Sequence, residues 1–176
     1  MMDKNVIAKR YAVAIFETAK AKGNIDEIRE ALNILNSKYL EEEDIKIFFT
    51  NPIITNEEKK VFLKKMFPFL GEDAQNVLNY VVSKDRIEYI SLIRNNFLNE
   101  VYKEEGKLPV IAVFAKELSE SQKNKLIKKL EEKYRKKIVL NLEVDESIIG
   151  GGILKIGNKV INGSIKYQLE DMKRMF

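Results

Sequence analysis

The spacing of apolar residues changes near residue 106 of this 176-residue chain, and the change limits the folds available to it. Before this point apolar residues recur every three to four positions, a period that predicts amphipathic helices. After it come the apolar run 110–115 and the alternating segment 137–144, and both are typical of β-strands. Two kinds of pattern on either side of one break indicate two structural units, so we expect domains at 1–105 and 106–176.

Six helices are predicted in the first unit, and residues that start or stop helices bound them. The expected ranges are 4–22, 43–50, 55–66, 72–84 and 88–105, with a second helix that is capped by Asn24 or Asp26 and extends to about Tyr39. Gly23 ends the first helix, and Asn51 before Pro52 ends the third because a residue preceding proline resists the helical conformation. Thr55 and Glu58 match a capping box at the start of the fourth helix. The short connections predict a compact all-α bundle.

The sequence of the second unit predicts the element order β-α-β-β-β-α. Its expected parts are a linker at 106–109, a strand at 110–115, a helix capped by 119–122, a strand at 137–144, two short strands around 157–158, and a last helix capped by Ser164. The fold class expected for the whole chain is therefore α+β. An all-α six-helix bundle precedes a small α/β domain with a mixed sheet and a C-terminal helix.

A glycine-rich segment near the end of the chain resembles a nucleotide site at first sight. Residues 148–165 hold five of the eight glycines, and from Gly152 the sequence reads G-x-x-x-x-G-N-K-V. A phosphate-binding loop needs Lys where Asn158 stands, and a Ser or Thr directly after that Lys. Neither requirement is met, and the flanking residues predict strands on both sides instead of a strand followed by a helix.

Backbone geometry accounts for these glycines better. Gly157-Asn158 between two apolar segments is typical of a two-residue hairpin turn. The glycines at 150–152 predict a bulge or a close backbone approach where the strand joins the sheet. Asn162-Gly163-Ser164 predicts a turn into the last helix. The segment therefore has a structural role and carries no chemistry.

The composition lacks the side chains that most enzymes use for catalysis. The sequence contains no Cys and no His, so disulfides, thiolate nucleophiles, Ser-His triads and the usual zinc ligands are excluded. Catalysis by carboxylates or by lysine remains open, but these absences disfavour an enzyme, and we expect neither a cofactor nor a metal site. No apolar run approaches the roughly 20 residues that span a bilayer, and we expect neither a membrane span nor a cleavable signal.

The charge differs between the two units. Residues 1–105 hold 16 Lys/Arg and 18 Asp/Glu, a net charge of −2, whereas residues 106–176 hold 15 and 9, a net charge of +6. Opposite balances suggest different partners. The basic run 123–137, with eight Lys/Arg and two Glu, fits a solvated helix face, a nucleic-acid surface or a contact with an acidic protein.

Two helices carry more apolar surface than a single packing contact requires. A stripe slightly wider than 100° suffices for one contact, but the apolar arcs of the first and fifth helices cover about 200°. The arcs comprise Ala14, Ile7, Thr18, Tyr11, Ile15, Ala8, Ala19, Ala12 and Phe16 in the first helix, and Tyr80, Val77, Val81, Ala74, Leu78 and Val82 in the fifth. Either both helices are central in the bundle, or a groove between them receives a partner's amphipathic helix.

Two segments resemble a known family. Residues 8–16 read Ala-Lys-Arg-Tyr-Ala-Val-Ala-Ile-Phe, which resembles the Arg-x-Tyr-Ala-x-Ala-hydrophobic-Phe pattern of the OSCP/delta family of F-type ATP synthase subunits. Residues 151–169 resemble that family's C-terminal signature. Asn158 and Asn162 stand where the family often has Asp, and both keep the turn chemistry. The residues of the structural signature are Gly151, Gly152, Gly157, Asn158, Gly163 and Ser164.

The resemblance implies a non-catalytic stator subunit that resists rotor torque during proton-driven ATP synthesis. In this family the six-helix domain binds the N-terminal helices of the alpha subunits, chiefly through its first and fifth helices. The smaller domain binds the b subunits of the peripheral stalk. Carried onto this chain, the resemblance assigns the alpha-subunit contact to Tyr11, Ala14, Ile15, Val77 and Val81.

The resemblance also implies a location and excludes other ligands. We expect a peripheral position at the cytoplasmic face of the bacterial cell membrane, with membrane association only through the complex. Neither a small-molecule substrate nor a nucleic acid is expected as a partner. The alternative hypothesis from the residues themselves is a basic nucleic-acid-binding module that uses the 123–137 helix face.

Overall fold

A computed structural model describes residues 3–157 and 159–174, with side chains to Met172. The contacts within it divide the chain into two compact units between Val101 and Tyr102. The described residues form helices and a small mixed sheet, so the predicted α+β fold class is confirmed.

The first unit is helical. Its helices are α1 Lys4–Lys22, α2 Ile25–Glu41, α3 Glu43–Thr50, α4 Asn56–Met66, α5 Glu72–Ser83 and α6 Ile90–Glu104, with a 3-10 turn Ile87–Tyr89 before α6. The last turn of α6 lies past the division at Val101. Apolar residues from all six helices share one core, in which Phe97 is fully buried and its ring meets Phe16 edge-on, with centroids 6.1 Å apart.

Helix ends in this unit follow the local sequence. Gly23 adopts the left-handed conformation, and its N–H donates to the carbonyls of Ala19 and Lys20, which ends α1. At the start of α4 the Glu58 N–H donates to Thr55 Oγ1 at 3.3 Å, and the Thr55 N–H donates to the Glu58 carboxylate at 2.8 Å. The capping box predicted from these two residues is thereby confirmed.

This capping box makes part of the stability dependent on pH. Hydrogen bonds from the backbone and hydroxyl of Thr55 lower the pKa of Glu58 below its ordinary value of 4.5. Because the pKa of Glu58 is lower in the folded state, the capping box stabilises the fold fully above pH 4.5. This stabilisation is lost as the pH falls through the lowered pKa of Glu58.

Thermal unfolding above and below pH 4.5 should show that acid lowers the melting temperature less in Thr55→Ala than in wild type. Thr55→Ser should behave as wild type; an equal loss in all three would contradict the assignment.

The second unit contains a four-stranded mixed sheet with one helix packed against it. Its elements are β1 Lys107–Phe114, α7 Glu120–Tyr134, β2 Lys137–Val144, a 3-10 turn Glu146–Ile148, β3 Gly152–Ile156, β4 Lys159–Asn162 and α8 Ile165–Arg174. The strand order is β2-β1-β3-β4; β1 and β2 are parallel and the other pairs are antiparallel. The smaller core comprises Val110, Leu130 and Ile156, with half-buried neighbours from α7 and the strands.

One predicted boundary in this unit is wrong. Residues 106–109 were expected to form a linker, but β1 begins at Lys107 and Pro109 pairs with Val139 of β2. The pairing of β1 with β3 covers only residues 111–114. At Pro109 the strand therefore has a neighbour on one side, the kind of edge position where the missing proline N–H is tolerated.

Candidate partner-binding groove and glycine segment

A groove separates α1 from α5 on the surface of the first unit. Its volume is about 310 Å³, and it is lined by Ala14, Ile15, Thr18, Ala19, Lys22, Asn24, Ile28, Asp73, Asn76, Val77 and Tyr80. Two contacts between the helices mark its ends. The Tyr11 and Tyr80 rings pack with centroids 5.4 Å apart at one end, and Lys22 pairs with Asp73 at the other. The positions of these two contacts along α1 and α5 show that the helices are antiparallel.

Small side chains leave this groove open and apolar. Ile15 and Ala19 form part of its buried floor, whereas Ala14 and Thr18 are exposed on α1. The Thr18 hydroxyl donates to the Ala14 carbonyl at 2.8 Å, so its hydrogen bond is satisfied within the helix. The wall therefore presents mostly methyl groups, together with the 44% exposed ring of Tyr80 on α5.

The charged residues of the lining neutralise each other. Lys22 and Asp73 form an ion pair, and Asn24 Nδ2 donates to the second oxygen of Asp73 at 3.1 Å. Asn24 Oδ1 is buried and has no hydrogen-bond partner within the described ranges. With one neutralised charge pair in an otherwise largely apolar lining, the groove is suited to holding an apolar helix face.

The structure places the residues expected at the partner contact in three settings. Ala14, Ile15 and Val77 line the groove. Tyr11 lies at its end against Tyr80. Val81 is fully buried in the bundle core and does not line the groove.

The wide apolar arc of the fifth helix is divided between the bundle core and the groove. Ala74, Leu78, Val81 and Val82 are buried because α5 is central in the bundle. Val77 and Tyr80 on the same helix face the groove.

The contacts of Asp73 with Lys22 and Asn24 at the polar end of the groove were not predicted from the sequence. Lys22 and Asp73 are 51 positions apart, and Asn24 reaches Asp73 across 49. Each residue fits a local role, because Lys22 is a basic residue in a last turn, Asp73 an acidic residue in a first turn, and Asn24 precedes α2. Local patterns cannot reveal contacts over such separations.

The glycine segment of the second unit is a strand-turn-strand element. β3 and β4 pair as far as Ile156 and Lys159, which leaves the two-residue connection that was predicted. Gly157 has φ +57 in this turn, and Asn158 lies outside the described residues. Because an antiparallel strand follows the glycine, the segment lacks the strand-to-helix geometry of a phosphate-binding loop.

Close approaches explain two more glycines of this segment, Gly151 against backbone and Gly152 against a side chain. Gly151 has φ +73, and a Cβ there would lie 2.2 Å from the Gly163 carbonyl oxygen. A Cβ on Gly152 would lie 2.5 Å from the Phe114 ring. Ser164 is buried; its hydroxyl donates to Asn162 Oδ1 at 2.7 Å and accepts from the Tyr167 N–H at 3.2 Å, as expected of a helix cap.

The basic run 123–137 belongs mainly to α7. This helix packs on the sheet through Leu126, Leu130 and Tyr134, whereas most of its lysines are exposed. Lys123 pairs with Glu120 at 2.6 Å. The run therefore contains a solvated helix face.

Two other features are absent from the described residues. No helix there combines the length and apolar content that a membrane crossing needs. Within the same ranges, no group of three or more Asp or Glu residues is arranged to hold a metal ion.

Comparison with known proteins identifies the family. A family model described as the ATP synthase delta (OSCP) subunit matches residues 7–176. The ATP synthase subunit delta of Fusobacterium nucleatum is 40% identical over 173 residues, covering 98% of this chain and 99% of that protein. The sodium-ion-specific subunit delta of Propionigenium modestum is 40% identical over 168 residues, with 96% and 97% covered.

A solved structure supports the fold independently. The cryo-EM structure of the Toxoplasma gondii mitochondrial ATP synthase hexamer contains a chain that matches with a TM-score of 0.77 at 18% identity, covering 96% of both chains. The family is that of a structural, not a catalytic, subunit, and it gives no support to the nucleic-acid alternative. This chain belongs to the ATP synthase delta (OSCP) subunit family.

Proposed function

We propose that this chain is the stator link between the catalytic head and the peripheral stalk of an ATP synthase. The first unit binds the N-terminal helices of the alpha subunits, and the second unit binds the b subunits. Two attachments on one chain raise the overall affinity, because binding at one site raises the effective concentration at the other. The mechanical requirement is the same whether protons or sodium ions drive the rotor.

The α1/α5 groove is the observation that supports the alpha-subunit contact. A helix-in-groove interface needs an apolar trough that a partner helix can approach closely, and Ala14, Ala19 and Val77 supply such a surface. From Tyr11 to Lys22 the α1 wall is about 16 Å long at 1.5 Å per residue. That length accepts about three turns of a partner helix.

Two features of the second unit support the contact with the stalk. The 106–176 region carries a net charge of +6, which favours an acidic partner. Helix α8 exposes Ile165, Leu169 and Met172 at spacings of four and three residues, which places an apolar stripe on one side of the helix. We assign the docking of the b subunits to this unit.

The proposed location follows from these attachments. The chain is held at the cytoplasmic face of the bacterial cell membrane as a peripheral part of the complex, through its protein partners. The described residues contain no membrane-crossing helix, which agrees with attachment of this kind.

Calorimetric titration of the full chain with a peptide from the N-terminus of the same organism's alpha subunit tests this function. We expect saturable binding in the micromolar range and backbone NMR shifts concentrated on α1 and α5. A scrambled peptide of equal composition is the control. Absence of binding at high micromolar peptide, or shifts centred on the second unit, would contradict the proposed contact.

A further inference from the structure

Ile149 has an unusual backbone conformation in the second unit. It follows the 3-10 turn Glu146–Ile148 and has φ +68 and ψ −46. The Gly150 N–H donates to the Ile148 carbonyl at 2.8 Å, which closes a three-residue γ-turn with Ile149 at its centre. This form of the γ-turn is rare, and a β-branched side chain resists it. The backbone of Ile149 is therefore strained.

The chain has glycines beside this turn, but none at its centre. Positions 150, 151 and 152 are all glycine, and Gly151 has φ +73. A glycine at position 149 would adopt the same turn without the steric cost. The isoleucine side chain is therefore the feature that needs an explanation.

Contacts inside the second unit do not account for this side chain. Ile148 is 4% exposed, so it already secures the turn. Ile149 is 63% exposed and belongs to neither of the two apolar cores formed by the described residues. Because so little of its surface is buried, packing within the unit offsets little of the strain. A contact with another chain would bury the rest.

The γ-turn lies beside the apolar stripe of α8. The Ile165 N–H donates to the Gly150 carbonyl at 3.0 Å, and a Cβ on Gly150 would lie 2.8 Å from Ile165 Cδ1. Ile165 is 43% exposed, and Leu169 and Met172 continue the stripe along the helix. The γ-turn therefore extends this stripe beyond the first residue of α8.

We propose that Ile149 is an anchor residue for the stalk, buried against the apolar face of an amphipathic helix of the b subunits that also covers the α8 stripe. The strained turn holds the side chain outward in the free chain, so binding does not have to order it. This inference rests on the proposed contact with the b subunits and adds the residue on which that contact depends.

The surroundings of the anchor fit such a partner. An amphipathic helix has one apolar face, which matches a stripe with spacings of four and three residues. Acidic residues beside that face would meet the net charge of +6 carried by residues 106–176. Lys166, which follows Ile165, is one of the exposed cations.

Calorimetric titration of the full chain with the soluble part of the same organism's b subunits tests the anchor. Ile149→Ala should weaken binding about tenfold to 30-fold, because the partner loses the side chain that fills its apolar contact. Val160→Ala is the control. It shortens a side chain of similar exposure, 60%, on β4, and its affinity should stay within about threefold of wild type.

Ile149→Gly separates an anchor from a residue that holds the fold. It should weaken binding at least as much as Ile149→Ala, but it also relieves the strained turn. Amide hydrogen exchange at the most protected positions of β1 in the free chain should therefore be as slow as in wild type or slower. A residue that holds the fold would give faster exchange when it is removed.

Three results would overturn the proposal. Binding by wild type with unchanged affinity in Ile149→Ala rejects the anchor and leaves the stalk contact in place. Absence of binding by wild type rejects the stalk contact and the anchor together. Faster β1 exchange in Ile149→Gly assigns the side chain to the stability of the second unit and rejects the anchor.

Discussion

Replacement of Ala14 by glutamate is expected to weaken binding of the alpha-subunit peptide by about 100-fold or more. Ala14 is exposed on α1 and lines the groove. A carboxylate at this position would be buried beneath the partner helix without a cation, since Lys22 is already paired with Asp73. The free chain should fold normally, because the new side chain is solvated until the partner binds. Titration with the same peptide and circular dichroism of the free variant measure both effects.

Val13→Glu is the matched control for this experiment. Val13 is also exposed on α1, but it lies about 100° around the helix from Ala14, on the side away from the groove-lining residues. The same charge in the same helix should leave the peptide affinity close to that of wild type. Equal losses in the two variants would show that the charge acts through the whole domain, and would remove the groove as the binding site.

Gly151→Val is expected to destabilise the second unit by about 3 to 5 kcal/mol and to unfold it under mild conditions. The backbone at this position has φ +73, which a β-branched residue resists. The added Cβ would also lie 2.2 Å from the Gly163 carbonyl oxygen and 3.2 Å from the Ser164 Cα, and both belong to backbone that leads into α8. Amide NMR should show collapsed resonances from the second unit and dispersed resonances from the first.

Gly157→Ala provides the comparison. This glycine also has positive φ, +57, but nothing lies within 4 Å of a Cβ at this position. The expected cost is only about 1 kcal/mol, from the left-handed backbone alone. Comparable unfolding in the two variants would mean that the close approach between Gly151 and Gly163 does not hold the unit together.

The helices were predictable from sequence because their ends are local. The Gly23 terminator and the Thr55–Glu58 capping box use residues within a few positions of each other, and the structure confirms both. Strand pairing over longer distances was harder to predict. From its local sequence, Pro109 is typical of a linker. It is tolerated in β1 because the strand pairs with a neighbour on one side only at this residue.

The sites were predictable only in part, for the same reason. The wide apolar arcs of the first and fifth helices located the groove, yet apolar character alone does not separate buried Val81 from groove-lining Val77. The burial of Lys59 in α4, where it is 3% exposed, was not predictable either, because a lysine beside Lys60 in a charged helix is typical of solvated surface. Its burial depends on elements that approach it from α3 and from the end of α5.

The central place of β1 in the sheet has a consequence for synthesis on the ribosome. The helices of the first unit can pack as soon as α6 has emerged. β1 follows directly, but its neighbours begin only at Lys137 in β2 and Gly152 in β3, and the turn into α8 closes through the Ile165 N–H to the Gly150 carbonyl. A nascent chain therefore displays an unpaired apolar strand until β2 and β3 have emerged, the interval in which such strands associate wrongly.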